Sequence, residues 1–481
     1  MAQKLQPVIV RGIDRGMAAE EVVSDSMMPT RQMRLIKNMD TDRVGYLTGR
    51  KGYTLLGSAA VIASNAGLGL LHHKGTNSQI VAFINQSNDT TAEAYYLSGS
   101  TWTNKALGFT ADTKIRSVSF LDLIMAVNGT DSPKSWTGAA GAAWGTTSLV
   151  SAPTGSLIET YKQQVYIGST STDQIDFSSI PSAGAITWTA SDNFIVNPND
   201  GSNLTALKRY AQQLLIFKED YTYRFNGRSI DPDPVIFWGA SSQEGVVVAG
   251  GVCWIYDGKR NAILAYVGGY PSVVSKPVRP FLEAVATSAH ANVALRGDND
   301  HVEAFIGDVT VGGVAFTDVA LRYTISTQTW TIRTYADTFN LFADYDDGTT
   351  QFNLGFNDTG DVVKMDNGTT DDGTAIDYDL ETAWLVIGGN PANNFTLAAF
   401  SAFAERPQGL SVFYKTDNDE TWRDIGKMRD YVTSWSGINA QFHRIKFRFT
   451  GTNSASQAIF EGFGIEVPMF EGTEDETLRF L

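Results

Sequence analysis

Apolar segments with strand-like spacing recur along this chain. They begin at Leu68, Ile115, Leu157, Leu204, Val246, Asn292 and Phe339, at intervals of 47, 42, 47, 42, 46 and 47 residues. Each repeat divides into short apolar runs separated by turn residues. In the repeat from Leu204 the runs are Leu204–Tyr210, Gln213–Phe217, Tyr221–Phe225 and Val235–Trp238. Asn226 and Gly227 supply the turn before the fourth run, because both tolerate positive φ. A period near 45 residues made of four strands predicts the blade of a β-propeller. A Trp falls in or near the fourth run in five of the seven repeats (Trp102, Trp144, Trp188, Trp238 and Trp330), where an aromatic can fill the gap between diverging blades.

The pattern changes at both ends. Residues 1–60 do not fit the repeat and read as an extended N-terminal arm followed by a hairpin, with strand-like pieces near Arg34–Asn38 and Tyr53–Leu56. The last repeat lacks an evident fourth strand after Met365, so part of this arm is expected to close the final blade and remove an open sheet edge. After the turn Asp371-Asp372-Gly373 a new run of alternating strands begins, which predicts a β-sandwich. The expected fold class is all-β: a seven-bladed β-propeller over 61–370, a β-sandwich over 371–468, the arm over 1–60, and an acidic tail over 469–481 that is either disordered or reaches a neighbour. Helical periodicity is nearly absent; its best candidate is Met17–Met28.

Composition sharpens this picture. A chain of 481 residues is too long for one small core. Its 45 Gly fit a turn-rich β protein. The single cysteine, Cys253, allows no internal disulfide and no thiolate metal cluster, and its apolar strand predicts a buried structural thiol. The first residues lack the apolar stretch of a secretory signal, and no run is long enough to span a bilayer, so synthesis in a cytoplasm without membrane insertion is expected.

A net charge of −15 argues against a general nucleic-acid-binding surface. The charge is uneven. Residues 1–60 carry nine Lys or Arg against six Asp or Glu, whereas 341–382 carry eleven acids against one Lys. Arg11, Arg15, Arg31, Arg34 and Lys37 are therefore candidates for docking an acidic partner. Asp344, Asp346, Asp347, Asp371 and Asp372 are candidates for a surface that repels a polyanion.

Chemistry is sparse. Adjacent His72 and His73 on a strand face opposite ways and cannot chelate one ion, and no zinc-protease, nucleophile-elbow or phosphate-loop motif occurs. Asp344, Asp346 and Asp347 before Gly348 miss the EF-hand spacing and read as a turn, with a loop calcium the less favoured reading. Asp417, Thr421 and Trp422 partly match the Asp-box turn of sialidase-type propellers, but Lys415 and Asp419 depart from it, and the segment lies outside the repeats. Arg296-Gly297-Asp298 spells an adhesion tripeptide within what reads as an inter-strand turn. No enzyme activity, cofactor or metal is expected.

The order of parts also resembles a known family. The phrases are NMDTDRVGYLTGRKGYTLLG (Asn38–Gly57), QQLLIFKEDYTYRFNG (Gln212–Gly227), GGVCWIYDGKRNAIL (Gly250–Leu264) and TDDGTAIDYDLETAWLVIG (Thr370–Gly388). With the seven repeats and the sandwich, they resemble β-propeller tail proteins of tailed bacteriophages, the nozzle and head-closure or packaged-DNA stabilisation proteins of short-tailed phages. The resemblance implies a structural virion protein without an active site. It implies a homo-oligomer, a hexameric ring in that family, that contacts adaptor, portal or tail-fibre proteins and surrounds DNA only as transiting genome. An acidic lining would suit such a channel and a basic arm would suit docking. The alternative is a propeller that binds or cleaves carbohydrate during host recognition.

Overall fold

The computed structural model describes residues 5–19, 31–87, 90–181, 185–198, 200–227, 234, 236–387, 394–407, 409–453 and 456–468. The expected helix Met17–Met28 lies mostly outside these residues. Within them, Met17 forms a parallel bridge to Met33.

Seven antiparallel units follow one another in chain order. Their innermost strands are Gly67–His73, Arg116–Phe120, Leu157–Tyr161, Leu204–Tyr210, Val246–Ala249, Ala294–Gly297 and Phe339–Asp346. Each unit turns back through a tight hairpin to a second, strongly apolar strand, such as Gln79–Asn85 or Leu123–Val127. These second strands are buried on both faces, which is why they read as continuous apolar runs.

Packing between units closes the disc. Val81 and Phe83 of blade one pack with Ile124 and Trp136 of blade two. Met125 and Val127 of blade two meet Val165 and Ile167 of blade three. The same alternation joins three to four, four to five, five to six and six to seven. Leu341, Leu354 and Phe356 of blade seven then pack on Ile80, Ala82 and Ile84 of blade one, so the circle returns to its start. The fold is an all-β, seven-bladed propeller, and no blade presents both faces to solvent.

Blade seven is completed from the other end of the sequence. Thr54–Leu55 pairs antiparallel with Val362–Lys364 as the outer strand. The fit is tight: a Cβ on Gly52 would lie 1.8 Å from the carbonyl oxygen of Thr370.

The rest of the N-terminal segment is woven into the C-terminal strands. Leu5–Arg11 pairs along its length with the last strand, Ile459–Pro468. Met39–Arg43 and Tyr46–Gly49 form a hairpin whose second strand also joins Ile459–Pro468. Phe395–Arg406 and Val432–Phe442 extend the same sheet. A second sheet contains Ile376–Thr382, Ile445–Asn453, Ser411–Thr416 and Arg423–Lys427. Phe400, Phe460 and Phe463 of the first sheet pack on Phe447 and Phe449 of the second, giving a sandwich core.

Met33–Lys37 joins this sandwich to the disc. It pairs antiparallel with Ile376–Thr382 on one side and meets Ile332 of blade six on the other. Blade six and the second sandwich sheet are thus one nine-stranded sheet. Among the described residues, no helix is long and apolar enough to cross a membrane.

Candidate functional site

The densest chemistry lies where blade six, blade seven and the N-terminal hairpin meet. Each of the four strands of blade six carries one buried charged residue: Arg296, Glu303, Arg322 and Arg333. Strand register brings the first three side by side, because Arg296 is opposite Glu303 and Glu303 is opposite Arg322. All four are almost fully buried.

Their partners come from three directions. Arg296 binds Glu303 Oε2 through Nη2 at 2.6 Å and Asp366 Oδ2 through Nη1 at 2.8 Å. Arg333 Nη1 lies 2.7 Å from Glu303 Oε1 and 2.6 Å from Asp366 Oδ1, and its Nη2 lies 2.7 Å from Asp40 Oδ2. Arg322 reaches Glu303 Oε1 at 3.0 Å and Asp42 Oδ2 at 3.0 Å. Three guanidinium groups therefore face four carboxylates, Glu303, Asp366, Asp40 and Asp42, of which Glu303 and Asp40 are the most deeply buried. Burial pushes the Glu303 and Asp366 carboxyls up, but the surrounding arginines outweigh it and hold both below their ordinary values.

His301 closes the outer end. Its Nε2 is 3.1 Å from Asp42 and its Nδ1 is 3.0 Å from Asp298. Burial alone would lower its pKa, but the hydrogen bonds to Asp298 and Asp42 raise it to about 9. The imidazole is then a fixed cation at neutral pH, held between two carboxylates.

The charged side chains here are matched to one another. Arg296, Asp298, His301, Glu303, Arg322, Asn353 and Asp366 line a crevice that side-chain atoms fill too tightly for a water-sized sphere. Every carboxylate in it already faces a cation. Buried pairs of this kind contribute little over apolar packing when intact, but breaking one partner is costly. Among the described residues, no group of three or more His, Cys, Asp or Glu side chains is placed to hold a metal ion.

The five basic candidates do not form one patch. Arg11 is exposed and stacks over Phe403 at 4.6 Å, and Arg15 is exposed. Arg31 instead donates to Gly12 O and pairs with Asp14, both at 2.5 Å. Arg34 donates to Ala18 O at 3.1 Å. Lys37 lies within a paired strand opposite Asp379.

The five acidic candidates also separate. Asp344, Asp346 and Asp347 belong to the first hairpin of blade seven. Asp346 pairs with Lys74 at 2.8 Å, Asn353 donates to Asp344 at 2.7 Å, and Asp347 accepts from the amides of Thr349 and Thr350. These bonds are those of a tight turn. Asp372 is exposed in a left-handed turn. Asp371 does not face open space. It is 5% exposed and accepts two hydrogen bonds from Arg50, at 2.8 and 2.5 Å. Asp371 is thus turned inward onto Arg50 rather than towards solvent, unlike Asp372.

Other sequence readings meet their positions plainly. His72 and His73 contact different neighbours, Ser78 and Ser119. Cys253 is buried, and burial raises its thiol to about 12. Arg296 is enclosed by the ion network, so the adhesion tripeptide is not presented whole.

No protein-family model matches the chain, and no curated protein matches it. Among solved structures, YCF48 bound to D1 peptide is similar at 12% identity and a TM-score of 0.42, over 64% of this chain and 95% of that one. A likeness this distant carries no argument about activity or partners. The chain itself is an all-β protein in which a seven-bladed propeller is closed by its own N-terminal strand.

Proposed function

We propose that this chain is a structural subunit of a bacteriophage tail or neck, forming a homo-oligomeric ring around the path of the DNA. One observation carries the reading beyond the resemblance in the order of parts. The N-terminal segment closes blade seven, joins blade six to the sandwich and pairs with the last strand, which makes one continuously bonded body. A ring that holds a pressurised genome needs subunits that transmit load without hinging between modules. The buried arginine–carboxylate network at the same junction serves that end.

In this reading, exposed Arg11 and Arg15 are available for docking an acidic neighbour, and exposed Asp344 and Asp347 for keeping passing DNA from adhering. The experiment is to raise antibody against the recombinant chain and label purified tailed particles of the source phage. Label at the tail or neck is expected. Particles that lack the chain by both label and peptide mass spectrometry would overturn the proposal.

A further inference from the structure

The outer face of the second sandwich sheet carries an ordered stack of cations and indoles. In the strand Ile445–Asn453, Ile445, Phe447 and Phe449 point into the core and are buried, so Lys446 and Arg448 point outward. Arg444 Cζ lies 4.7 Å from the Trp384 ring centroid. Lys446 Nζ lies 5.1 Å from Trp384 and 4.9 Å from Trp422, and Arg448 Cζ lies 5.9 Å from Trp422. The order is thus Arg444, Trp384, Lys446, Trp422, Arg448.

This stack is built. Trp422 leaves the turn that partly matches an Asp-box, where Asp419 accepts from the Thr416 amide and hydroxyl. Asp417 of that turn accepts from the amides of His443 and Arg444. Glu381 pairs with Lys446 and Asp379 with Arg448. Lys37, opposite Asp379 in the next strand, adds a cation to the same face. In a chain of net charge −15, Arg444, Lys446, Arg448 and Lys37 gather here with Asp379 and Glu381 around two half-buried indoles, and Lys415 lies opposite Lys446 on the same sheet.

The mixture selects among partners. A continuous run of phosphates would meet Asp379 and Glu381 as repulsion. A segment that combines carboxylates with apolar and cationic side chains would find a partner for each. Residues 469–481, MFEGTEDETLRFL, have that composition: Glu471, Glu474, Asp475 and Glu476, then Leu478, Arg479, Phe480 and Leu481. They lie outside the described residues and follow Pro468, the end of a strand in the opposite sheet. Extended, a segment of this length spans on the order of 40 Å, against the ~10 Å between packed sheets. Such a segment reaches well beyond the sandwich from which it leaves.

We propose that residues 469–481 of one copy dock on the Trp384–Trp422 face of the next copy. The contact joins two different surfaces, the geometry from which cyclic rings close. It rests on the ring reading above.

The test compares the full chain with a variant ending at Pro468, and adds a synthetic peptide of residues 469–481. The full chain should form the ring and the truncated chain should be monomeric. The peptide should bind the truncated protein, weaken several-fold as salt rises from about 50 to about 300 mM, and weaken at least tenfold with Arg444→Glu or Lys446→Glu. Arg444 is exposed, so its variant keeps the test readable if Lys446→Glu misfolds. A truncated chain that still forms the full ring overturns this inference and leaves the ring reading standing. A monomeric full chain overturns the ring reading. Equal peptide binding by Arg444→Glu, or preference of this face for a short DNA duplex over the peptide, also overturns the inference.

Discussion

Arg116 and Glu244 meet in a two-point ion pair that joins blade two to the entry of blade five. Arg116 Nε lies 2.8 Å from Oε1, and its Nη2 donates to Oε2 at 2.9 Å. Arg116 also donates to Ser156 O of the next repeat, and Lys114 lies 3.7 Å from the same glutamate. Two blades that are not neighbours in the circle are thus tied at the hub. Burial pushes the Glu244 carboxyl up, but Arg116 overcomes it and brings it down to about 2.

Removing one member of this pair should be far worse than removing both. Arg116→Ala leaves the largely buried Glu244 with Lys114 alone, 3.7 Å away, so the cost should approach, without exceeding, the roughly 3–5 kcal/mol of an uncompensated buried charge. Arg116→Met with Glu244→Leu should cost much less. Chemical denaturation measures both. A single variant within about 1 kcal/mol of the parent would show that the tie carries no strain of charge.

The same pair sets an acid limb. The folded carboxyl titrates below its ordinary value, so its contribution is present above about pH 4.5 and is lost as pH falls towards 2. Glu244→Gln should flatten this part of the stability–pH profile. An unchanged profile would contradict the assignment.

His301 gives the opposite sign. Its folded pKa is raised to about 9, so its contribution is full below about pH 6.5 and is lost as pH rises through 9. NMR titration of the imidazole should show a cation at pH 8. A midpoint near 6.5 would mean that Asp42 and Asp298 do not hold it.

Closure of blade seven should fail locally. Gly52→Ala drives a methyl into the Thr370 carbonyl, and relief requires the outer strand to shift, at about 1–3 kcal/mol. Hydrogen exchange should rise first in Val362–Lys364 and Gln351–Asn357, with blades two to four unchanged. Uniform loosening would mean that closure is not confined to this strand.

Deleting residues 1–11 removes a strand whose Val8 and Val10 are buried and bares the edge of Ile459–Pro468. Each buried Val is worth about 1.5–3 kcal/mol. The sandwich strands should lose exchange protection while blades one to five keep theirs. Unchanged protection in Ile459–Pro468 would contradict the pairing.

The circle was legible because its signal is local. Second strands such as Gln213–Lys218 are buried on both faces and repeat at a fixed period, and their hairpins are short. Fourth strands were less legible because they lie at the rim: among the described residues, the fourth run of blade four contributes a bridge at Ile236. Met39–Arg43 and Val432–Phe442 were missed because they are polar and their partners are remote or at an edge. Closure by Thr54–Leu55 was readable only as a missing strand at the other end. The ion network was missed because Arg296, Glu303, Arg322 and Arg333 each look like ordinary solvent-facing residues. Their signal was a charge flanked by apolar residues at facing positions of consecutive strands, as Arg296, Glu303 and Arg322 are.

If this body is a ring subunit, as proposed, the purified full chain should assemble by itself. Native mass measurement at near-neutral pH and about 100 mM salt should then give a single closed oligomer, six copies by the resemblance, seen as a ring by electron microscopy. A chain that stays monomeric across the micromolar range, with or without partner proteins of the particle, would contradict it.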